Sequence, residues 1–151
     1  MEGSRQLNSM KDVHDLDVGR ARLFSATHEE ILSGKTTDVY FVKTLDLLRN
    51  CGCAEKPVTA EVFARGTGVF AGLPEVLTLL GEKPGLEIES LSEGDPFGFK
   101  ETIMRIKGPY SSFGMYETVL LGMLASASGW ATVAKECVEA ANGKPVLCFG
   151  A

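Results

Sequence analysis

Apolar positions recur at near-helical spacing in several stretches of the chain and alternate in others. Val39, Val42, Leu45, Leu47 and Leu48 form a stripe that predicts a helix over 36–49, with Thr36 or Thr37 as its cap and Asp38 in a first turn whose dipole favours a carboxylate. A shorter helix is expected over 26–33, capped by Ser25 or Thr27, led by Glu29 and Glu30, and ended by Gly34. Phe70, Leu73, Val76, Leu77 and Leu80 predict a helix over 70–81, with Pro74 near its start, where a missing N–H is tolerated. The longest helix runs from Tyr116 to Ala141 and is capped at Asn142-Gly143. Its middle, Gly122 and Ala125 to Gly129, is small-faced, so another backbone can approach closely, as in a core helix or a subunit contact. Strands are expected at Val58–Ala64, at Leu86–Leu91 and at Thr102–Ile106, the last two flanking a Gly/Pro-rich turn over 93–98. Asn50 to Pro57 is a loop and Gly66-Thr-Gly68 a short connection. Residues 1–24 are polar, without strong periodicity, and their first part is expected to be frayed. Pro145 to Cys148 reads as a buried strand. A domain that stops on such a strand, with no turn or covering helix after it, is expected to be cut where a second, larger domain begins.

Composition narrows the picture. The 151 residues are 44% hydrophobic and 23% charged, enough for one well-cored domain. A net charge of -5 leaves no excess of Lys or Arg to neutralise a phosphate backbone, which argues against nucleic acid as a partner. A small phosphorylated ligand stays open, because a local arginine or a helix N-terminus can hold one. No apolar run approaches the roughly 20 residues of a membrane span. Val119 to Ala134 comes nearest and is broken by Gly122, Ser126, Ser128 and Gly129. The polar N-terminus carries no signal core, so a cytoplasmic setting and no membrane partner are expected.

Several chemistries find no support in these residues. No Walker loop, nucleophile elbow or zinc-spaced cysteine set is present, and His14 and His28 are too isolated for a metal site. Cys51-Gly52-Cys53 reads as a surface turn with two thiols; Cys137 and Cys148 read as small buried hydrophobes. Met104-Arg105-Ile106-Lys107 has the layout of a biotin- or lipoate-bearing hairpin, but Arg105 stands where the acylated lysine would be. Thr36-Thr37-Asp38-Val39-Tyr40-Phe41 is the sharper signal. Tyr40 in a first helical turn can present a flat ring and a hydroxyl to a pocket, with Asp38 holding a neighbour in place. Spacing alone favours a capped helix with Tyr40 and Phe41 both packed in the core.

Three ordered matches carry a resemblance. The string from Ser25 through Thr44, the pair Ala60–Arg65 and Gly68–Gly72, and Met104–Tyr110 with Phe113–Thr118 and Leu124–Gly129 through Lys144–Ala151 together resemble nicotinate phosphoribosyltransferases. The matches span about Phe24 to the end. The resemblance implies an α+β fold: an N-terminal, sandwich-like α/β domain of a type II phosphoribosyltransferase, followed by the first helix and strand of an incomplete α/β barrel. It implies a polar segment over 1–24, a substrate-covering domain over 25–113, and the barrel start over 114–151. The implied reaction joins nicotinate to phosphoribosyl pyrophosphate, giving nicotinate mononucleotide and pyrophosphate in NAD salvage. Subunits of the family pair head to tail, so a homodimer or higher homo-oligomer is implied.

By the same resemblance, the substrate-binding residues are Thr37, Asp38, Tyr40, Arg65, Arg105, Glu117 and Thr118, with the Tyr40 ring stacked on the pyridine across the dimer. Catalytic residues and the ligands of Mg2+ are expected beyond Ala151; no metal ligands are assigned within the chain, and coupling to ATP is left open. The chain is accordingly expected to be an inactive N-terminal fragment. Quinolinate phosphoribosyltransferases carry Glu-Arg-Thr at the start of the corresponding helix, the arginine meeting the second carboxylate. Tyr116-Glu117-Thr118 places a carboxylate there, which would repel a dianion, so nicotinate is the expected substrate and a quinolinate phosphoribosyltransferase-like enzyme the alternative. A non-catalytic module dimerising through the small-faced helix is the reading from a different class.

Overall fold

A computed structural model describes residues 7–15, 26–81 and 83–149. In chain order the elements are α1 (Met10–His14), α2 (His28–Leu32), α3 (Val39–Asn50), β1 (Pro57–Phe63), β2 (Gly68–Val69), α4 (Leu73–Leu80), β3 (Glu87–Ser90), β4 (Pro96–Phe97), β5 (Thr102–Pro109), α5 (Tyr110–Phe113), a 3-10 turn (Gly114–Tyr116) and α6 (Glu117–Ala140). β5 is the centre of an antiparallel sheet of order β1-β5-β3, and β2 pairs with β4 in a two-stranded ribbon. In register, Ala60 faces Ile106 from one side and Ile88 from the other.

Alternation puts Met104 and Ile106 inward and Arg105 and Lys107 outward along β5. The inward set joins Phe70, Val76 and Leu80 from the α4 region with Leu120 and Leu124 of α6 in the main core. A second, smaller core gathers Phe41, Val42 and Leu45 of α3 around Met115, with Leu7 closing it from the N-terminal side. Leu7 and α1, which Ser9 caps by accepting from the Asp12 amide, lie in a region whose polarity gave no helical signal. The rest of that polar segment, 1–6 and 16–24, lies outside the described residues.

Most sequence-level elements appear near their expected bounds, and the exceptions have physical causes. The helix expected from Phe70 begins at Leu73: Gly72 sits at φ +99 as its N-cap, so Phe70, fully buried, enters the core as extended chain. The long helix starts one residue later than expected, after the 3-10 turn, and ends ahead of Asn142 and Gly143, both at positive φ. The expected strand at Pro145–Cys148 is not formed. Among the described residues no strand pairs with it, and Val146, Leu147 and Phe149 are exposed, Phe149 at 93%. A strand without a ladder leaves its N–H and C=O groups to water. Cys137 and Cys148, expected inside, are exposed as well, because the last turns of α6 and the segment after it pack on nothing described here. Cys51 and Cys53 sit on a turn at the end of α3, the former exposed and the latter half-buried.

The small-faced stretch of α6 finds its backbone within the chain. Ser128 Oγ accepts from the Ala71 amide at 3.1 Å and donates to the Ala71 carbonyl at 3.2 Å; Thr132 Oγ1 accepts from the Val69 amide at 2.9 Å. A Cβ built on Gly68 would lie 2.6 Å from Thr132 Oγ1, so the close approach depends on glycine there. No helix among the described residues is long and apolar enough to cross a membrane.

Candidate functional site

The start of α6 and the start of α3 meet at one polar junction. Asp38 is the N-cap position of α3, but its side chain does not cap that helix. Thr118 Oγ1 instead donates to Asp38 Oδ2 at 2.9 Å and accepts from the Asp38 amide at 3.4 Å. Neither Thr36 nor Thr37 is the cap: both hydroxyls are buried without a hydrogen-bond partner among the described residues. The local capping rule failed here because the partner of Asp38 lies 80 residues away.

Tyr40 and Phe41 divide the two roles that spacing left open. Phe41 is 5% exposed and packs in the smaller core, whereas Tyr40 is 56% exposed, its ring tilted against Phe41 at 4.2 Å between centroids. Partial desolvation, with the carboxylates of Asp38 and then Glu117 beside it, pushes the Tyr40 hydroxyl above the usual tyrosine range. Tyr110, half-buried at the end of β5, is raised mainly by burial and then by Glu117. Nothing in its sequence neighbourhood marked Tyr110 as part of this junction; only the turn from β5 into α5 brings it there. Glu117, partly buried, has its carboxyl raised by desolvation.

Glu117 also lines a groove of about 780 Å³ between α6 and β1, an edge strand among the described residues. Its walls are mainly apolar, with Phe113, Leu120, Leu121 and Leu124 on the helix side, and Arg65 stands in the loop at the end of β1. Arg65 is exposed and makes no ion pair among the described residues. Arg105 does not join this surface. It lies on the outer face of the sheet, paired with Glu61 at 2.7 Å, both side chains about half exposed. The junction thus gathers Asp38, Tyr40, Glu117 and Thr118, with Thr37 next to it in the chain. Arg65 lines the same groove as Glu117, and Arg105 stands apart.

A flat phenol with an acidic neighbour, beside an apolar groove with one cation, can hold an aromatic ring and meet a carboxylate on it. The same residues do not fit a magnesium site: no group of three or more His, Cys, Asp or Glu residues among those described could hold a metal ion, and Asp38 is engaged with Thr118.

Residues 38–128 match the family described as Quinolinate phosphoribosyl transferase, N-terminal domain. A relative from Archaeoglobus fulgidus, named "Probable nicotinate-nucleotide pyrophosphorylase (carboxylating)", is 31% identical over 87 residues, 58% of this chain and 34% of the relative. The crystal structure of nicotinate-nucleotide pyrophosphorylase from Pyrococcus furiosus superposes with a TM-score of 0.79 at 41% identity, over 87% of this chain and 35% of that one. Human nicotinic acid phosphoribosyltransferase shares the fold, with a TM-score of 0.61 at 20% identity over 73% of this chain and 29% of its own. The chain therefore spans about a third of the length of these proteins.

The matches correct the expectation of a nicotinate phosphoribosyltransferase, because the family and the relatives of higher identity are on the quinolinate side. Repulsion at Glu117 assumed a fully ionised, solvated carboxylate. Burial raises its pKa and Arg65 lines the same groove, so that single position does not decide which pyridine acid is accepted. With more than half of its residues in the matched span, the chain belongs to the quinolinate phosphoribosyltransferase N-terminal domain family.

Proposed function

We propose that this chain is the pyridine-facing part of a quinolinate phosphoribosyltransferase, the enzyme also called nicotinate-nucleotide pyrophosphorylase (carboxylating). The reaction joins quinolinate to phosphoribosyl pyrophosphate: the ring nitrogen bonds to the sugar carbon, pyrophosphate leaves, and the carboxylate next to that nitrogen departs as CO2, a proton taking its place on the ring carbon, giving nicotinate mononucleotide. The family match over 38–128 carries the reading, because it encloses the whole Asp38, Tyr40, Glu117 and Thr118 junction. The exposed Tyr40 ring is the stacking surface for the pyridine, and Arg65 is the cation at hand for a carboxylate. Thr37, Asp38, Glu117 and Thr118 border that surface. Arg105, turned to the opposite face and held by Glu61, is left out of the proposed site.

In this proposal the chain works as a homo-oligomer, the junction facing the phosphoribosyl site of a second subunit. Residues outside this chain then supply the charge that stabilises the departing pyrophosphate. Saturation-transfer NMR with quinolinate and the purified chain tests the ring-stacking role directly. The expected result is transfer to the pyridine protons that Tyr40→Ala abolishes and Tyr40→Phe retains. Transfer that is absent, or indifferent to Tyr40→Ala, would refute the proposed surface.

A further inference from the structure

At the α3–α6 junction Asp38 and Thr118 are bonded to each other. Thr27 shows what an N-cap in this chain does when free: it accepts from the Glu30 amide at 3.3 Å, and Glu30 returns a bond to the Thr27 amide at 2.7 Å. Asp38 has the same opportunity at the head of a 12-residue helix and does not take it. Its carboxylate and its amide both meet the single oxygen Thr118 Oγ1. Behind this pair, α3 is held to the body of the protein by Phe41, Val42 and Leu45 against Met115. Apolar burial of that kind fixes proximity and leaves rotation about the contact weakly defined, whereas hydrogen bonds are directional.

We propose that Thr118 is a positioning residue, whose hydroxyl latches Asp38 and so sets the orientation of the first turn of α3, with Tyr40 on it, against Glu117 at the head of α6. The latch stands on geometry within the chain; only its consequence for a ligand rests on the proposed function. Asp38 and Thr118 act on each other, and Tyr40 is the group turned outward.

The test uses the 151-residue chain with Thr118→Val, Thr118→Ser and Asp38→Asn. The chain has three tyrosines, so subtracting the ultraviolet phenolate titration of Tyr40→Phe isolates Tyr40. The titratable groups that face Tyr40 are Asp38, Glu117 and Tyr110. Asp38→Asn removes a neighbouring negative charge and is expected to move the Tyr40 midpoint down. Thr118→Val frees the carboxylate to turn onto the first-turn N–H groups of α3, away from the phenol, and is expected to move the midpoint in the same direction. Thr118→Ser keeps the hydroxyl and is expected to restore the original midpoint. Far-UV circular dichroism checks each fold, with Thr118→Ala standing in if the valine variant is unfolded. An unshifted midpoint in Thr118→Val beside a shifted one in Asp38→Asn overturns the latch, as does failure of serine to rescue.

Quinolinate saturation transfer is read on the same proteins. Transfer reduced severalfold in Thr118→Val and retained in Thr118→Ser supports positioning, and transfer equal to the parent in the valine variant overturns it. Should the parent itself give no transfer, the proposed function fails, while the phenolate titration still decides the latch.

Discussion

Gly72 offers a stringent test of how α6 packs. Its φ of +99 lies in the left-handed region, and a Cβ there would sit 3.0 Å from Ala127 Cβ and 3.2 Å from the Met123 carbonyl oxygen. For Gly72→Ala the backbone strain costs roughly 1–2 kcal/mol. Pressing a methyl into a filled contact adds about 1–3 kcal/mol, and the Met123 oxygen belongs to the α6 backbone, which cannot swing aside. The total is about 2–5 kcal/mol, a fall in Tm of roughly 5–15 °C for a chain of this size. Urea and thermal unfolding followed by far-UV circular dichroism would measure it. Ala127→Gly separates the two causes. Alone it costs about 1 kcal/mol of helix propensity. Combined with Gly72→Ala it removes the Ala127 contact and leaves the strain and the Met123 contact, so the double variant is expected to be less destabilised than the sum of the singles by about 1 kcal/mol. A Gly72→Ala protein within about 0.5 kcal/mol of the parent, or strict additivity with Ala127→Gly, would refute this account of the small-faced helix.

Two other outcomes follow from the same structure. Burial raises the Glu117 pKa, so the folded chain holds that proton more tightly than the unfolded one, and the stability this group contributes is full below the ordinary value of 4.5 and lost as pH rises through the raised one. Glu117→Gln is therefore expected to be the more stable protein at neutral pH, with the gap closing in acid; urea midpoints across pH would show it, and a gap independent of pH would contradict it. Arg105→Ala, which breaks an ion pair about half exposed on both sides, is expected to cost no more than about 1 kcal/mol and to leave quinolinate saturation transfer unchanged, whereas loss of transfer would return Arg105 to the site.

The elements legible in the sequence are those whose signal is local and repeated. The stripes of α3, α4 and α6 bury part of their apolar positions and β1 packs Ala60 and Val62 against the core, so periodicity reports these elements even though Val39, Leu47, Val58 and Leu77 are exposed. The capping box at Thr27 was legible for the same reason, both partners lying within four residues. Asp38 was misread because its partner is remote, and the same local evidence could not say that Phe41 turns inward while Tyr40 turns out. The apolar run Pro145–Cys148 carries the composition of a buried strand, but a strand is defined by what it pairs with, and nothing described here pairs with it. Cys137, which reads as a small buried hydrophobe, is exposed because α6 is covered only as far as the turn around Thr132. At the level of function, ordered short strings reached the phosphoribosyltransferases, while the choice of pyridine acid was rested on one side chain whose charge depends on its surroundings.

The junction and the core are joined by a single rigid element. α6 has 24 residues, a rod of about 36 Å at 1.5 Å per residue. Its first turn carries Glu117 and Thr118, the next turns bury Leu120 and Leu124, and Ser128 and Thr132 then grip the Val69–Ala71 backbone. Removing the Ser128 hydroxyl would leave both polar groups of Ala71 without their side-chain partner, an interaction loss of about 1–3 kcal/mol. That loss lies about ten residues, or roughly 15 Å, along α6 from Thr118. A helix transmits tilt over such a distance but resists local bending. The position of Glu117 is therefore set by contacts deep in the core, and the facing angle of Tyr40 by the one hydroxyl of Thr118. The proposed stacking surface is thus held by two attachments of different kinds, a packed helix that fixes where it lies and a directional bond that fixes how it faces.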